Sequence, residues 1–438
     1  MHRLKKLYPL LPLAIFLLLV ATMVRQSVLV PEQAGTSHVY FELVFLLLLA
    51  AAGELALTYV NQPSVMVLLV LGVLASPSVV SLAWSGMLLL PLPFNLPAEA
   101  PKLFQNTEVL QVFAQLGAII LLFKVGLENT IEKVFSWDNL LVAACGVVVP
   151  FAAGYAYAAY TEPGNVVYAM FVGAALTATS VGVTVAILKE LKLVNERFAN
   201  VIIGAAVIDD VLGLLVLSFV LNLQGGTVAL QPILVTSMTA IVFFAGCIAA
   251  SEYFVKYLDR KDMSARRFIL VIAFMLFYAY LAEFIKLSAI VGAFLAGVTL
   301  NKSRHVKELN EKTYGLELFF MPIFFISLGM LVDVNSLRLF AVPILVLTVI
   351  AAASKALGCF LASLWAKMSM RESVIVGVGM IPRGEVALIV ASIGLSGGLL
   401  TSAQYSIITA MAFLTTLAVP PMLVHLLRKK AQAHEQGA

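Results

Sequence analysis

The sequence has little charge: Asp, Glu, Lys and Arg together make up 12% of its 438 residues, against about 25% in an ordinary soluble domain. Instead, 61% of the residues are hydrophobic, and they come in runs of about 18–25 residues with loops between them. A soluble chain of this length would divide into two or more domains with charged surfaces, which this composition excludes. The pattern predicts an all-α polytopic membrane protein.

Cysteine and histidine are also scarce. The three cysteines all lie inside apolar runs, which excludes a disulfide framework and a zinc ligand set. The five histidines lie near segment ends or in tails, so no structural metal site is expected. We expect neither an enzyme nor a nucleic-acid-binding protein, and we expect no cofactor and a lipid bilayer as the main surroundings of the chain.

Hydropathy predicts about fourteen apolar segments. They cover residues 7–26, 40–60, 63–85, 108–127, 139–160, 165–189, 197–222, 228–250, 266–284, 287–301, 314–332, 338–367, 372–396 and 402–427. The first segment, within residues 1–39, follows a basic start as a signal peptide does, but no clear cleavage site comes after it. An uncleaved extra helix is the favoured interpretation, and a cleaved signal is the alternative.

Lys and Arg concentrate in alternate loops, among them 189–197, 256–267 and 301–312. Because positively charged loops stay in the cytoplasm, these loops and the short tail 428–438 are predicted to be cytoplasmic. The expected location is the inner (plasma) membrane, with several crossings and a cytoplasmic C-terminus.

The order of the segments indicates an internal repeat. Six segments in residues 40–222, one linker helix in 228–250 and six segments in 266–427 would form two inverted copies, because a single crossing starts the second set from the opposite side. The fifth segment of each set is interrupted by residues that weaken a helix. These are Thr177, Thr179, Ser180 and Gly182 in the first set, and Pro382 and Gly384 in the second.

Paired interruptions at corresponding positions point to the binding site of a transporter. Hydroxyl groups and freed backbone carbonyls suit a small hard cation. The alternative is that the hydroxyls bond back to carbonyls of their own helix.

Two adjacent carboxylates, Asp209 and Asp210, lie in the middle of the apolar stretch "GAAVIDDVLGLLVL". One aspartate at the centre of a membrane helix costs roughly 3 kcal/mol on insertion scales, so the pair indicates a function. Adjacent helical residues point about 100° apart, so one carboxylate can face a water-filled cavity while the other pairs with a cation. Lys355, in the middle of its own apolar run, is the predicted partner.

Four further charged residues form two pairs by their spacing. Arg383 and Glu385 flank Gly384. The favoured interpretation is structural: they neutralise one another or hold the crossing of the broken helices together. Direct contact with the transported ion is the alternative. Lys124 and Glu128 lie one turn apart and predict an ion pair at the end of a helix.

These residues resemble a known family. "TATSVGVTVAILKELKLVNERFANVIIGAAVIDDVLGLLVL" is similar to the ion-site region of bacterial sodium/proton antiporters of the monovalent cation:proton antiporter 2 family. "LSAIVGAFLAGVTL", "FFMPIFFISLGMLVD", "SKALGCFLAS" and "GMIPRGEVALIVASIG" resemble the later motifs of that family, in the same order. The resemblance covers residues 40–427.

The resemblance implies about thirteen membrane helices besides the N-terminal segment, with inverted repeats and two crossed discontinuous helices. It also implies a core domain and a panel domain that forms a homodimer. On matching positions, Asp210 is the ion-binding, proton-exchanging carboxylate, and Asp209 pairs with Lys355 when the ion is absent. The residues that match the crossing are Thr179, Ser180, Arg383 and Glu385.

The activity implied by the resemblance is exchange of a monovalent cation, Na⁺ before Li⁺ or K⁺, for H⁺ by alternating access. The Asp-Asp pair with its lysine is similar to the electrogenic members. A K⁺/H⁺ antiporter and a cation channel of the same architecture are the alternatives. An intramembrane aspartyl protease is disfavoured, because its two carboxylates must lie about 3 Å apart and therefore come from two helices.

Overall fold

The computed structural model describes residues 36–57, 63–88, 100, 103–104, 107–223 and 230–436, and all regular structure in this part of the chain is helical. The helices are α1 (Thr36–Leu57), α2 (Ser64–Leu74), α3 (Pro77–Leu88), α4 (Thr107–Leu127), α5 (Ile131–Val134), α6 (Trp137–Thr161), α7 (Val166–Thr177), α8 (Val181–Glu190) and α9 (Arg197–Leu223). They continue as α10 (Leu230–Leu258), α11 (Ala265–Phe284), α12 (Ala289–Leu300), α13 (Val306–Met330), α14 (Val334–Leu339), α15 (Ala341–Trp365), α16 (Met370–Gly379), α17 (Glu385–Ser396) and α18 (Ser402–Gln436).

Within these residues, ten helical stretches are long and apolar enough to cross a membrane, or eleven if the bent pair α2 and α3 is one span. The prediction of an all-α protein with many membrane crossings is therefore confirmed. The predicted first segment, 7–26, lies outside the described residues. The number of thirteen membrane helices and the inverted repeat stay predictions.

One compact unit comprises Met1–Gly117 and Leu318–Asn335. In this unit α2 lies directly against the last turns of α13. A Cβ at Gly72 would lie 2.1 Å from the carbonyl oxygen of Ile326, and one at Gly329 would lie 2.3 Å from that of Leu69. The two helices approach this closely because both positions lack a side chain.

The other unit comprises Ala118–Glu317 and Ser336–Ala438. Its apolar core includes Phe171 and Leu176 of α7, Ile344 of α15 and Met411 of α18. The helix α9 packs against the four short helices α7, α8, α16 and α17. Two broken helices thus meet one continuous helix, α9, in this unit. The first broken helix consists of α7 and α8, with its break at residues 178–180, and the second consists of α16 and α17, with its break at residues 380–384.

Both breaks have a local cause. Pro382 cannot donate a backbone hydrogen bond and disfavours a helical conformation in the residue before it, so α16 ends at Gly379. In the other break, the Thr177 hydroxyl donates to the carbonyl of Ala174 at 2.7 Å, and the backbone then turns to an extended conformation at Ala178. Side-chain hydroxyls that compete for backbone groups weaken a helix in this way.

Candidate functional site: the crossing of two broken helices

The two breaks touch each other. The backbone N–H of Ser180 donates to the carbonyl of Pro382 at 2.8 Å. The Thr184 hydroxyl, one turn along α8, donates to the carbonyl of Gly379 at 2.7 Å. The predicted crossing of two discontinuous helices is therefore present, and it is held by hydrogen bonds from one break to the other.

Gly384 is the point of closest approach. A Cβ placed there would lie 2.5 Å from the Cβ of Ser180 and 2.6 Å from its Oγ, distances that real Cβ contacts do not show. Only a glycine fits at this position without a shift of the first break, which explains the sequence "PRGE" in the second.

We expect Gly384→Ala to destabilise the protein by about 1–3 kcal/mol, the usual effect of overpacking, and to lower transport with it. A melting curve in detergent measures the first effect. Gly315→Ala is the matched control, because a Cβ at this helical glycine meets nothing within 4 Å. Adding Ser180→Gly, which removes the clashing atoms, should restore the melting temperature of Gly384→Ala. Equal melting of Gly384→Ala and Gly315→Ala would contradict the close approach.

Asp209 and Lys355 form an ion pair beside the crossing. The Lys355 Nζ lies 3.1 Å from Oδ1 and 3.0 Å from Oδ2 of Asp209, and both side chains are 0% exposed. The same ammonium group donates to the carbonyl of Thr177 at 2.6 Å. Thr177 is the last residue of α7, where the negative end of the helix dipole attracts a cation. Lys355 therefore joins α9 to the freed end of α7.

Arg383 is the second buried cation at the crossing, with 1% exposure. Its guanidinium donates to the carbonyls of Ala178 at 2.7 Å and Ala351 at 3.3 Å. Its own backbone is held by Thr415 and Thr416, through a hydrogen bond from the Arg383 N–H to the Thr415 Oγ1 and one from the Thr416 hydroxyl to the Arg383 carbonyl. The side chain thus binds the carbonyl of Ala178 in the first break and the carbonyl of Ala351 within α15, and its role at the crossing stays a prediction. The side chain of Glu385 lies outside the described residues.

The neighbouring carboxylates have different surroundings. Asp209 is fully buried, whereas Asp210 is partly exposed. The buried hydroxyl of Thr179 faces the Asp209 carboxylate, but the contact falls short of a hydrogen bond, and this hydroxyl has no hydrogen-bond partner among the described residues. Ser180 is partly exposed, as Asp210 is. The arrangement offers one neutralised carboxylate and one accessible carboxylate.

Thr177 contributes differently from its prediction. Its hydroxyl bonds back within α7, as the alternative interpretation held, so its carbonyl rather than its hydroxyl takes part in the site. That carbonyl is the acceptor of Lys355.

The predicted ion pair of Lys124 with Glu128 is wrong. Because α4 ends at Leu127, Glu128 does not continue the helical face on which Lys124 lies. Lys124 is instead buried and binds Glu317 of α13 at 2.5 Å. Glu317 also accepts a hydrogen bond from Lys189. Glu317 was not predicted from the sequence, although a carboxylate at the start of the apolar stretch "LELFFMPIFF" was a signal that could have indicated it.

Comparisons with known proteins agree with the geometry. The model of the sodium/hydrogen exchanger transmembrane family matches residues 43–429. The chain is 32% identical to the Na⁺/H⁺-K⁺ antiporter GerN of Bacillus cereus over 407 residues, which are 90% of this chain and 97% of that protein. It is 34% identical to the high-affinity Na⁺/H⁺ antiporter NhaS3 of Synechocystis over 343 residues, 75% of this chain and 74% of the relative.

A solved structure has the same fold. The sodium proton antiporter MjNhaP1 of Methanocaldococcus jannaschii superposes with a TM-score of 0.67 at 16% identity, over 90% of this chain and 97% of that one. The chain therefore belongs to the sodium/hydrogen exchanger family, and the family resemblance drawn from the motifs is confirmed.

Proposed function

We propose that the protein is a secondary active antiporter that exchanges Na⁺ for H⁺ across the membrane by alternating access. The observation that carries this proposal is the partly exposed Asp210 next to a buried Asp209–Lys355 pair, at the crossing of two broken helices. Two relatives that match 90% and 75% of the chain are named as antiporters, which supports the same activity here.

The mechanism we propose is competition for one carboxylate. Asp210 binds either the cation or a proton, so the arrival of one releases the other. The empty, charged carboxylate is unfavourable at membrane depth. The protein therefore changes between its two access states only when the carboxylate holds a cation or a proton. In this proposal Ser180 and the freed backbone of the two breaks supply oxygen ligands, which small hard cations prefer.

Lys355 has a separate role in this proposal. Its ammonium neutralises Asp209 and holds the freed carbonyl of Thr177. An incoming cation competes with Lys355 for Asp209, so the two aspartates act as a coupled group. A cycle that moves net charge is driven by the membrane potential with roughly 2.3 kcal/mol per charge per 100 mV.

The remaining assignments follow the same proposal. The protein would work as a homodimer in the inner (plasma) membrane, with its C-terminus in the cytoplasm and residues 266–427 as the inverted copy of 40–222. A K⁺/H⁺ antiporter is the second candidate, because the printed name of the Bacillus cereus relative includes K⁺. A channel is disfavoured, since channels tend to arrange charges or carbonyls in rings around a pore axis.

Proteoliposomes test the proposal directly. Purified protein is reconstituted with an internal pH indicator, and Na⁺, Li⁺ and K⁺ are offered in turn with the membrane potential clamped or free. We expect Na⁺ to drive proton flux, at a rate that changes with the potential. Flux with K⁺ alone would assign the second candidate, and ion currents far above transporter turnover would indicate the channel.

A further inference from the structure

A second cluster of buried charges lies at the far end of the half-helix α8. The Glu317 carboxylate on α13 accepts hydrogen bonds from two lysines, Lys124 of α4 and Lys189 of α8. The Lys124 Nζ also lies 5.0 Å from the centre of the Tyr314 ring. The site described above leaves this cluster without a function.

The position of the cluster connects it to the ion site. α8 has ten residues, Val181–Glu190, and spans about 15 Å. Its first residue follows Ser180 at the crossing, and its next-to-last residue is Lys189. Glu317 therefore holds the C-terminal end of α8 through Lys189, while the N-terminal end of α8 lies at the crossing. Lys189 also begins the loop 189–197, which is predicted to be cytoplasmic.

The two arms of the cluster differ in their access to water. The Lys124 side chain is 5% exposed and that of Glu317 is 7% exposed, whereas Lys189 is 22% exposed. A buried ion pair brings little net stability, because removing both charges from water offsets their attraction. Because both lysines contact the Glu317 carboxylate, Glu317 keeps one partner when the other lysine departs. Because Lys189 is the more exposed of the two lysines, its ion pair with Glu317 is the one that water can separate.

We propose that the Lys189–Glu317 pair is a latch that closes the cytoplasmic end of α8 and opens once in each transport cycle, while Lys124 keeps Glu317 neutralised. This inference rests on the proposed alternating access.

Crosslinking tests the latch. Lys189→Cys and Glu317→Cys are introduced together into a background in which Cys145, Cys247 and Cys359 are replaced by alanine and exchange is retained. A short bifunctional thiol reagent with a reducible spacer should lower Na⁺-driven proton flux at least tenfold, and reduction should restore it. Full exchange by the crosslinked protein would overturn the proposal, since the contact would then never need to open.

The matched control is a crosslink between cysteines at Glu308 and Lys312, an ion pair within α13 at 3.4 Å that no relative movement of helices needs to break. It should leave exchange unchanged. Sodium binding to the crosslinked latch variant, measured as proton release from the purified protein, separates the two proposals. Binding without flux supports the latch. Full flux in the crosslinked variant contradicts the latch but leaves the proposed function intact. Absence of exchange in the unmodified protein contradicts the proposed function.

A variant without the crosslink gives a second readout. Lys189→Gln should shift the half-saturating Na⁺ concentration on the cytoplasmic side severalfold and leave the opposite side less affected, because it favours the state open to the cytoplasm. Equal shifts on both sides, or none, would contradict a latch at one end and indicate a merely structural ion pair.

Discussion

Asp210→Asn is expected to reduce Na⁺-dependent proton flux to the background of vesicles that lack the protein. The amide of asparagine has nearly the shape of the carboxylate, but it carries no negative charge for a cation and releases no proton. Because Asp210 is partly exposed on the continuous helix α9, the substitution should leave the fold intact. The measurement is dequenching of a pH-sensitive dye in everted vesicles after addition of Na⁺.

Asp262→Asn is the control for this experiment, since the side chain of Asp262 is fully exposed and lies on a loop away from the crossing. It should exchange at the rate of the unmodified protein. Unchanged flux in Asp210→Asn would remove Asp210 from the proposed role. Lost flux together with a lowered melting temperature would call for Asp210→Glu, which keeps the charge and should retain partial exchange.

Lys355→Ala is expected to have the largest effect on stability, a loss of about 3–5 kcal/mol, because it leaves the Asp209 charge buried without a partner. It also removes the donor to the Thr177 carbonyl. The melting temperature in detergent should fall clearly. Adding Asp209→Asn to Lys355→Ala removes the uncompensated charge and should recover part of the loss.

Lys312→Ala is the matched control, because its partly exposed pair with Glu308 is worth only about 0–1 kcal/mol. If Lys355→Ala melts at the same temperature as Lys312→Ala, the buried pair does not carry the stability assigned to it. If Asp209→Asn recovers nothing, the loss comes from the Thr177 contact or from packing rather than from the stranded charge.

The pairing of Lys355 with one of the two aspartates could be predicted because charged residues inside long apolar runs are few and must neutralise one another. The choice of Asp209 rather than Asp210 came from the family resemblance. The two breaks could be predicted because hydroxyl residues, glycine and proline weaken helices wherever they occur. What these signals share is that each depends on residue type at a known depth in the membrane.

The acceptors of the buried cations could not be predicted. Lys355 and Arg383 bind backbone carbonyls of Thr177 and Ala178, and every residue carries such a group, so only the geometry of the break selects them. Glu317 was missed for another reason. Its lysine partners are 193 and 128 residues away in the chain, and it lies where an apolar segment begins, a position at which a charge normally faces the interface.

The central claim is that a cation and a proton compete for Asp210, and counting protons released on cation binding tests it most directly. Purified protein in detergent is titrated with NaCl by calorimetry in buffers of different ionisation enthalpy, with choline chloride as the blank. The account predicts that Na⁺ binding releases protons in the unmodified protein and that Asp210→Asn releases none. Sodium binding without proton release, or with the same release in Asp210→Asn, would contradict it.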